Sequence, residues 1–165
     1  MSHDSAKDDS QLNVSDVEDV LQMPLLMKLG MWFASVFAIG AIVLLSLAAS
    51  GLVRPLWIGN QVVETKVWLR IAGPLFLLTS VLMAGIAYGF RTRKAWSRHL
   101  VMIMWAAIGL YGLILGAAGD VPRELAWRAL IESVVFGSVA AWYFYVKTNV
   151  VEYFRALNAR KESSF

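Results

Sequence analysis

Charge is almost absent from four long stretches of this chain. No Asp, Glu, Lys or Arg occurs in residues 29–53, 71–90 or 99–119, and residues 129–146 contain Glu132 alone. Each stretch meets or nearly meets the roughly 20 apolar residues that carry an α-helix across about 30 Å of hydrocarbon. The apolar character is continuous, whereas the strands of a membrane barrel alternate. Hydrocarbon gives backbone N–H and C=O groups no partners, so helices are the expected spanning form. The pattern therefore predicts an all-α fold, an integral membrane four-helix transmembrane bundle. Its domain, residues 24–147, holds helices near 25–53, 68–90, 99–119 and 125–147.

Breakers and caps refine this outline. Pro24 stands where a first helical turn begins. Pro74 falls inside the second stretch and predicts a kink or a late helix start. The loops are short, which makes consecutive spans antiparallel neighbours. The longest covers residues 52–67, and its run from Leu56 to Val63 fits either a small hairpin or a short interfacial helix. Residues 1–23 read as an acidic, largely disordered tail, with Ser15-Asp16-Val17-Glu18 as a capping box for a short helix near 16–23. Residues 148–165 read as an amphipathic C-terminal interfacial helix capped by Asn149 and Glu152. It would lay Val150, Val151, Phe154 and Leu157 on the membrane, with Arg155, Arg160 and Lys161 near the headgroups. The stretch from Ala48 to Pro55 is echoed by that from Ala117 to Arg123. Two origins fit the echo: an old hairpin duplication, or the shared composition of helix ends.

Composition supports the membrane reading. Charged residues make up 16% of the chain, against roughly 25% in a soluble domain, and 58% are hydrophobic. Mean hydropathy is +0.59. A soluble core cannot absorb that much apolar surface, so the excess faces lipid or a partner. The first 20 residues are acidic and carry no early apolar run, unlike a signal peptide.

The net charge of +3 is unevenly placed. Four spans put both tails and the second loop on one side. That side carries Lys7, Lys28, Arg91, Arg93, Lys94, Arg98, Lys147, Arg155, Arg160 and Lys161, and the other carries Arg54, Lys66, Arg70, Arg123 and Arg128. The positive-inside rule then predicts cytoplasmic N and C termini. Trp57, Trp68 and Trp127 are expected at the outer interface, with Trp32, Trp96, Tyr143 and Tyr145 at the inner one, as an aromatic belt requires. Compact loops and the absence of sorting motifs fit a bacterial inner membrane.

Candidate chemistry is sparse. There are no cysteines, which excludes disulfides, thiolate metal sites and cysteine nucleophiles. The histidines are His3 and His99, and neither lies deep within a span, so no haem or metal ligand set is expected. No cofactor or catalytic residue is predicted, and no nucleic-acid partner, because the basic loop is tethered to the membrane at both ends. Glu132 is the one acid inside a span, and an intramembrane ionisable group is a candidate ion or proton site. Its structural alternative is an interfacial acid paired with Arg128 four residues earlier. Gly109, Gly112, Gly116 and Gly119 share one helix face, as do Gly85 and Gly89, while Ser133, Gly137 and Ala141 recur at intervals of four. Such small-residue faces let helices approach closely, either within the bundle or in a homo-oligomer or membrane-protein partner. Arg91, Arg93, Lys94 and Arg98 fix topology and are candidates for contact with anionic lipid. Tyr88, Tyr111, Thr79 and Ser80 fit packing and hydrogen bonding on spanning helices.

Scarce polar chemistry and abundant small residues point to a non-enzymatic accessory, scaffolding or assembly subunit that acts in the bilayer by helix–helix association. The alternative is a transporter or channel component centred on Glu132.

Overall fold

The computed structural model of the chain describes residues 23–162, with side chains as far as residue 157. The expected acidic tail and the short helix near 16–23 lie outside the described residues, apart from Met23. The side chains of Arg160 and Lys161 lie outside them as well.

Four helices are long and apolar enough to cross a membrane. They are α1 (Leu25–Ala49), α3 (Gly73–Arg91), α4 (Ser97–Ala118) and α5 (Arg123–Tyr145). A small antiparallel hairpin, β1 (Leu56–Ile58) and β2 (Gln61–Val63), follows α1, and the short α2 (Thr65–Ile71) comes next. The chain ends in α6 (Thr148–Glu162). The 52–67 loop thus takes the hairpin option, with Leu56 opposite Val63 and Ile58 opposite Gln61. Its two-residue turn begins with Gly59 at φ 59, a conformation that glycine adopts freely.

The second span starts late. Pro74 occupies the first turn of α3, where its missing N–H costs nothing. Residues 68–71 belong instead to α2, which is capped by Ala72. This corrects the placement of Trp68: it is buried and packs on Phe76 at 5.5 Å between ring centroids, so it is not part of an outer aromatic belt. Trp57, Trp127, Trp32 and Trp96 are exposed, as a belt requires.

Three of the four spans stop in the same way. After α1, Gly51 N–H donates to Ala48 O and Leu52 N–H to Leu47 O; after α4, Gly119 N–H donates to Gly116 O and Asp120 N–H to Leu115 O. Both glycines are left-handed, at φ 75 and 76. This double bond pattern is the Schellman stop. The echo between the two helix ends thus coincides with shared capping chemistry. After α3 the same bonds run from Arg93 N–H to Phe90 O and from Lys94 N–H to Gly89 O, but the left-handed residue is Arg93, at φ 52. A Cβ in that region costs about 1 kcal/mol or more. Arg93→Gly is therefore expected to stabilise the protein in detergent by about 1 kcal/mol. Arg93→Ala, which keeps the Cβ, should give no gain. Thermal unfolding of the three proteins side by side measures the difference.

Packing follows chain order. α1 lies along α3, α4 lies along α5, and α3 joins α4. α1 presents an alanine stripe to the interior through Ala34, Ala38, Ala41 and Ala48. α3 and α4 are closest near their connecting loop. There, a Cβ on Gly89 would stand 2.6 Å from Ser97 Cβ, and one on Gly85 would stand 2.9 Å from Leu100 Cδ1. At the opposite end a cleft of about 370 Å³ separates the elements, lined in part by Leu75, Phe76, Ile108, Tyr111 and Leu115. Two polar links cross this end. Tyr111 Oη donates to Ile71 O at 2.7 Å, and Arg70 Nη2 pairs with Asp120 Oδ1 at 3.0 Å.

The largest buried cluster lies at the end that carries the α3–α4 loop, hereafter the basic end. It joins Met27 and Ala34 of α1, Ile86 and Phe90 of α3, Met104 of α4 and Phe144 of α5 to Val150, Tyr153 and Phe154 of α6. The apolar face of α6 is thus covered by the bundle itself. α6 also begins earlier than expected. Lys147 O accepts from Val150 N–H and Val151 N–H, which places Asn149 inside the first turn and not at the cap.

Candidate functional site

The glycine face of α4 meets α5. A Cβ built on Gly109 would lie 2.7 Å from Ser133 Oγ, one on Gly112 2.8 Å from Ala129 Cβ, and one on Gly116 2.5 Å from Ala126 Cβ. Ala126, Ala129 and Ser133 repeat at three and four residues, matching the glycines opposite. Lipid supplies no hydrophobic drive for helix pairing, so close backbone approach and dispersion hold such a seam together. Ser133 Oγ also donates a short hydrogen bond to Trp105 O across it. Gly137 is looser, with Trp105 Cβ at 3.5 Å, and Gly119 has no neighbour within 4 Å because it forms the helix stop. Gly85 and Gly89 serve the α3–α4 contact. Gly85, Gly89, Gly109, Gly112 and Gly116 are therefore filled within one chain.

Glu132 lies on the outward side of α5. Arg128 Nε donates to its Oε1 at 2.7 Å, and the two side chains are 75% and 51% exposed. At 1.5 Å per residue, Glu132 is about 13 Å along the axis from Arg123, the first residue of α5. Trp127, Ile131, Val134 and Val135 flank the pair, all exposed. The sequence suggested both the pairing and its partner. The outward direction follows from the glycine seam, which turns Ala126, Ala129 and Ser133 inward.

The basic end divides its four candidate cations. Arg91, Arg93 and Lys94 are exposed. Arg98 is partly buried, its guanidinium 5.1 Å from the Tyr145 ring centroid and 5.3 Å from that of Phe154. A cation over aromatic faces gains about 0.5–2 kcal/mol, so Arg98 fastens α6 to the bundle. Its Nε is buried without a partner, as is Tyr153 Oη. Burial pushes the Tyr153 phenol above its ordinary pKa, opposed by the nearby Arg93 charge. Tyr145 Oη and His99 Nδ1 are 2.7 Å apart on the same side. Sequence reasoning missed this docking. Its available signal was the adjacency of two large aromatics, Tyr153 and Phe154, with Val150 one turn before.

The remaining polar candidates bond locally. Thr79 Oγ1 donates to Leu75 O and Ser80 Oγ to Phe76 O, within α3. Among the described residues, no three His, Asp or Glu side chains form a group able to hold a metal ion. No family model matches this chain, and no curated protein and no solved structure is significantly similar to it.

Proposed function

We propose that this small four-span membrane protein works by association within the bilayer, as a non-enzymatic accessory, scaffolding or assembly subunit. The observation that carries this reading is the Arg128–Glu132 pair on the outward face of α5. Ionisable groups facing hydrocarbon are expensive, and those found in spans mostly face protein or water. A partner subunit or a second copy seated on α5 would cover the pair and the apolar residues around it. The α4 glycine seam is already filled by α5, which moves the expected contact to this outer face. In keeping with the distribution of Lys and Arg, the basic end would face the cytoplasm, in a bacterial inner membrane, with Arg91, Arg93 and Lys94 against anionic headgroups.

Mild-detergent purification of Glu132→Arg tests the reading. The variant should keep its monomer fold, because residue 132 is half exposed, but should lose a co-purifying partner or its own oligomer by about tenfold or more. Unchanged association would overturn it. The transporter alternative makes the opposite forecast: Glu132→Gln abolishes flux while assembly survives. Burial of this pair in a measured interface would favour the first reading.

A further inference from the structure

A groove of about 500 Å³ lies between α1 and α3 at the basic end. Met31, Trp32 and Ser35 line it from α1, and Ala87, Tyr88 and Arg91 from α3. Each triplet has the spacing i, i+1, i+4 and so belongs to one helix face. Trp32 and Tyr88 are 67% and 61% exposed, large rings with polar tips that suit the boundary between headgroups and hydrocarbon. Ser35 Oγ donates to Met31 O of its own helix. The charge in the groove is therefore that of Arg91, which takes part in neither ion pair among the described residues.

The surroundings set the sign of the ligand. Among the described side chains this end carries Lys28, Arg91, Arg93, Lys94, Arg98, Lys147 and Arg155 against Glu152. An anion is attracted there, whereas the ammonium of a zwitterionic headgroup meets like charge. Arg91 closes α3, and Tyr88 lies one turn deeper, about 4.5 Å along the axis. That order, cation then amphipathic rings then Ala87 of α3 and the Ser35 turn of α1, parallels phosphate, glycerol ester and acyl chain.

We propose that this groove seats one anionic phospholipid from the leaflet at the basic end. The Arg91 guanidinium, whose planar fork suits phosphate oxygens, holds the phosphodiester. Trp32 and Tyr88 flank the glycerol, and the first acyl carbons lie beyond them, against Ala87 and the turn of α1 that carries Ser35. This inference rests on the reading that the basic end meets anionic lipid, and it narrows that contact from a diffuse patch to one site.

Native mass spectrometry can count the lipids retained by the full chain released from nanodiscs holding equal amounts of phosphatidylglycerol and phosphatidylcholine. The unaltered protein should retain phosphatidylglycerol preferentially, and Arg91→Gln should lower that preference about fivefold. Lys94→Gln removes an equal charge outside the groove and should change it clearly less than Arg91→Gln does, because it forfeits general attraction but no bidentate phosphate contact. Trp32→Leu and Tyr88→Leu alter exposed rings that the fold tolerates, and each should also lower the preference. These two keep the test decisive if Arg91→Gln misfolds. Equal losses for Arg91→Gln and Lys94→Gln, with no effect of the ring variants, would overturn the seat and leave general attraction to the leaflet. No preference in the unaltered protein would overturn both.

Discussion

Gly116→Leu is expected to open the α4–α5 seam and unfold that half of the protein in detergent. Even the first carbon of a side chain at residue 116 would stand 2.5 Å from Ala126 Cβ, and Ala126 belongs to a helix with no lateral freedom, since Gly112 and Gly109 fix it at two further points. Van der Waals contact needs more than 1 Å of extra separation there. Overpacking a close-packed interior costs about 1–3 kcal/mol per modest insertion, and more for several carbons. Gly116→Ala should already lose about 1–3 kcal/mol. The control is Gly40→Leu, at a position with no atom within 4 Å. It should be neutral or mildly stabilising, because leucine favours a helix over glycine by about 1 kcal/mol or less. Thermal or SDS unfolding of both variants separates the effects. Equal midpoints would mean that α4 and α5 do not pack through this seam.

Phe154→Ala carries the second-largest expected effect. Phe154 is 1% exposed, packs on Tyr153 and Phe144 at 5.4 and 6.4 Å between ring centroids, and lies under the Arg98 guanidinium. Truncating a buried Phe costs about 3–5 kcal/mol. α6 follows α5 through Val146 and Lys147, and its backbone comes close chiefly to α5, so the loss should appear as local undocking before global unfolding. Trypsin cleavage after Arg155 should accelerate strongly, and the four spans should stay folded but melt at a lower temperature, because Phe144 of α5 loses its partner. A helix whose apolar face rested on lipid would respond differently, because removing the phenyl ring would loosen its membrane contact and leave the spans' stability untouched. Limited proteolysis combined with thermal unfolding of the span region distinguishes the two arrangements. Unchanged cleavage at Arg155 would show that Phe154 does not anchor α6.

The amino-acid sequence determined the spans, because hydrocarbon is a stringent solvent. A charge-free stretch of spanning length has one low-cost conformation there, so helix number and approximate position follow from composition along the chain. Local chemistry was equally legible where it depends on near neighbours. Pro74 marked a break that the fold resolves as a late start, the Leu56–Val63 run allowed the hairpin that forms, and Arg128 reaches Glu132 one turn away. The candidate glycines were legible as a face but not as a contact, since periodicity shows which residues lie together and not what covers them.

Tertiary structure alone decided those pairings. The α4 stripe could have met another chain, and complementary spacing in α5 turned it inward and left Glu132 outward. The fate of Trp68 and of α6 was likewise nonlocal. An aromatic near a helix end suits a membrane interface or a protein interior equally well. Trp68 packs under the hairpin, and Phe154 packs under Arg98, because residues distant in sequence provide matching cavities there. Amphipathicity specifies that a face seeks an apolar partner. Whether lipid or protein supplies it depends on shape and dispersion contacts, which arise only when the helices are assembled.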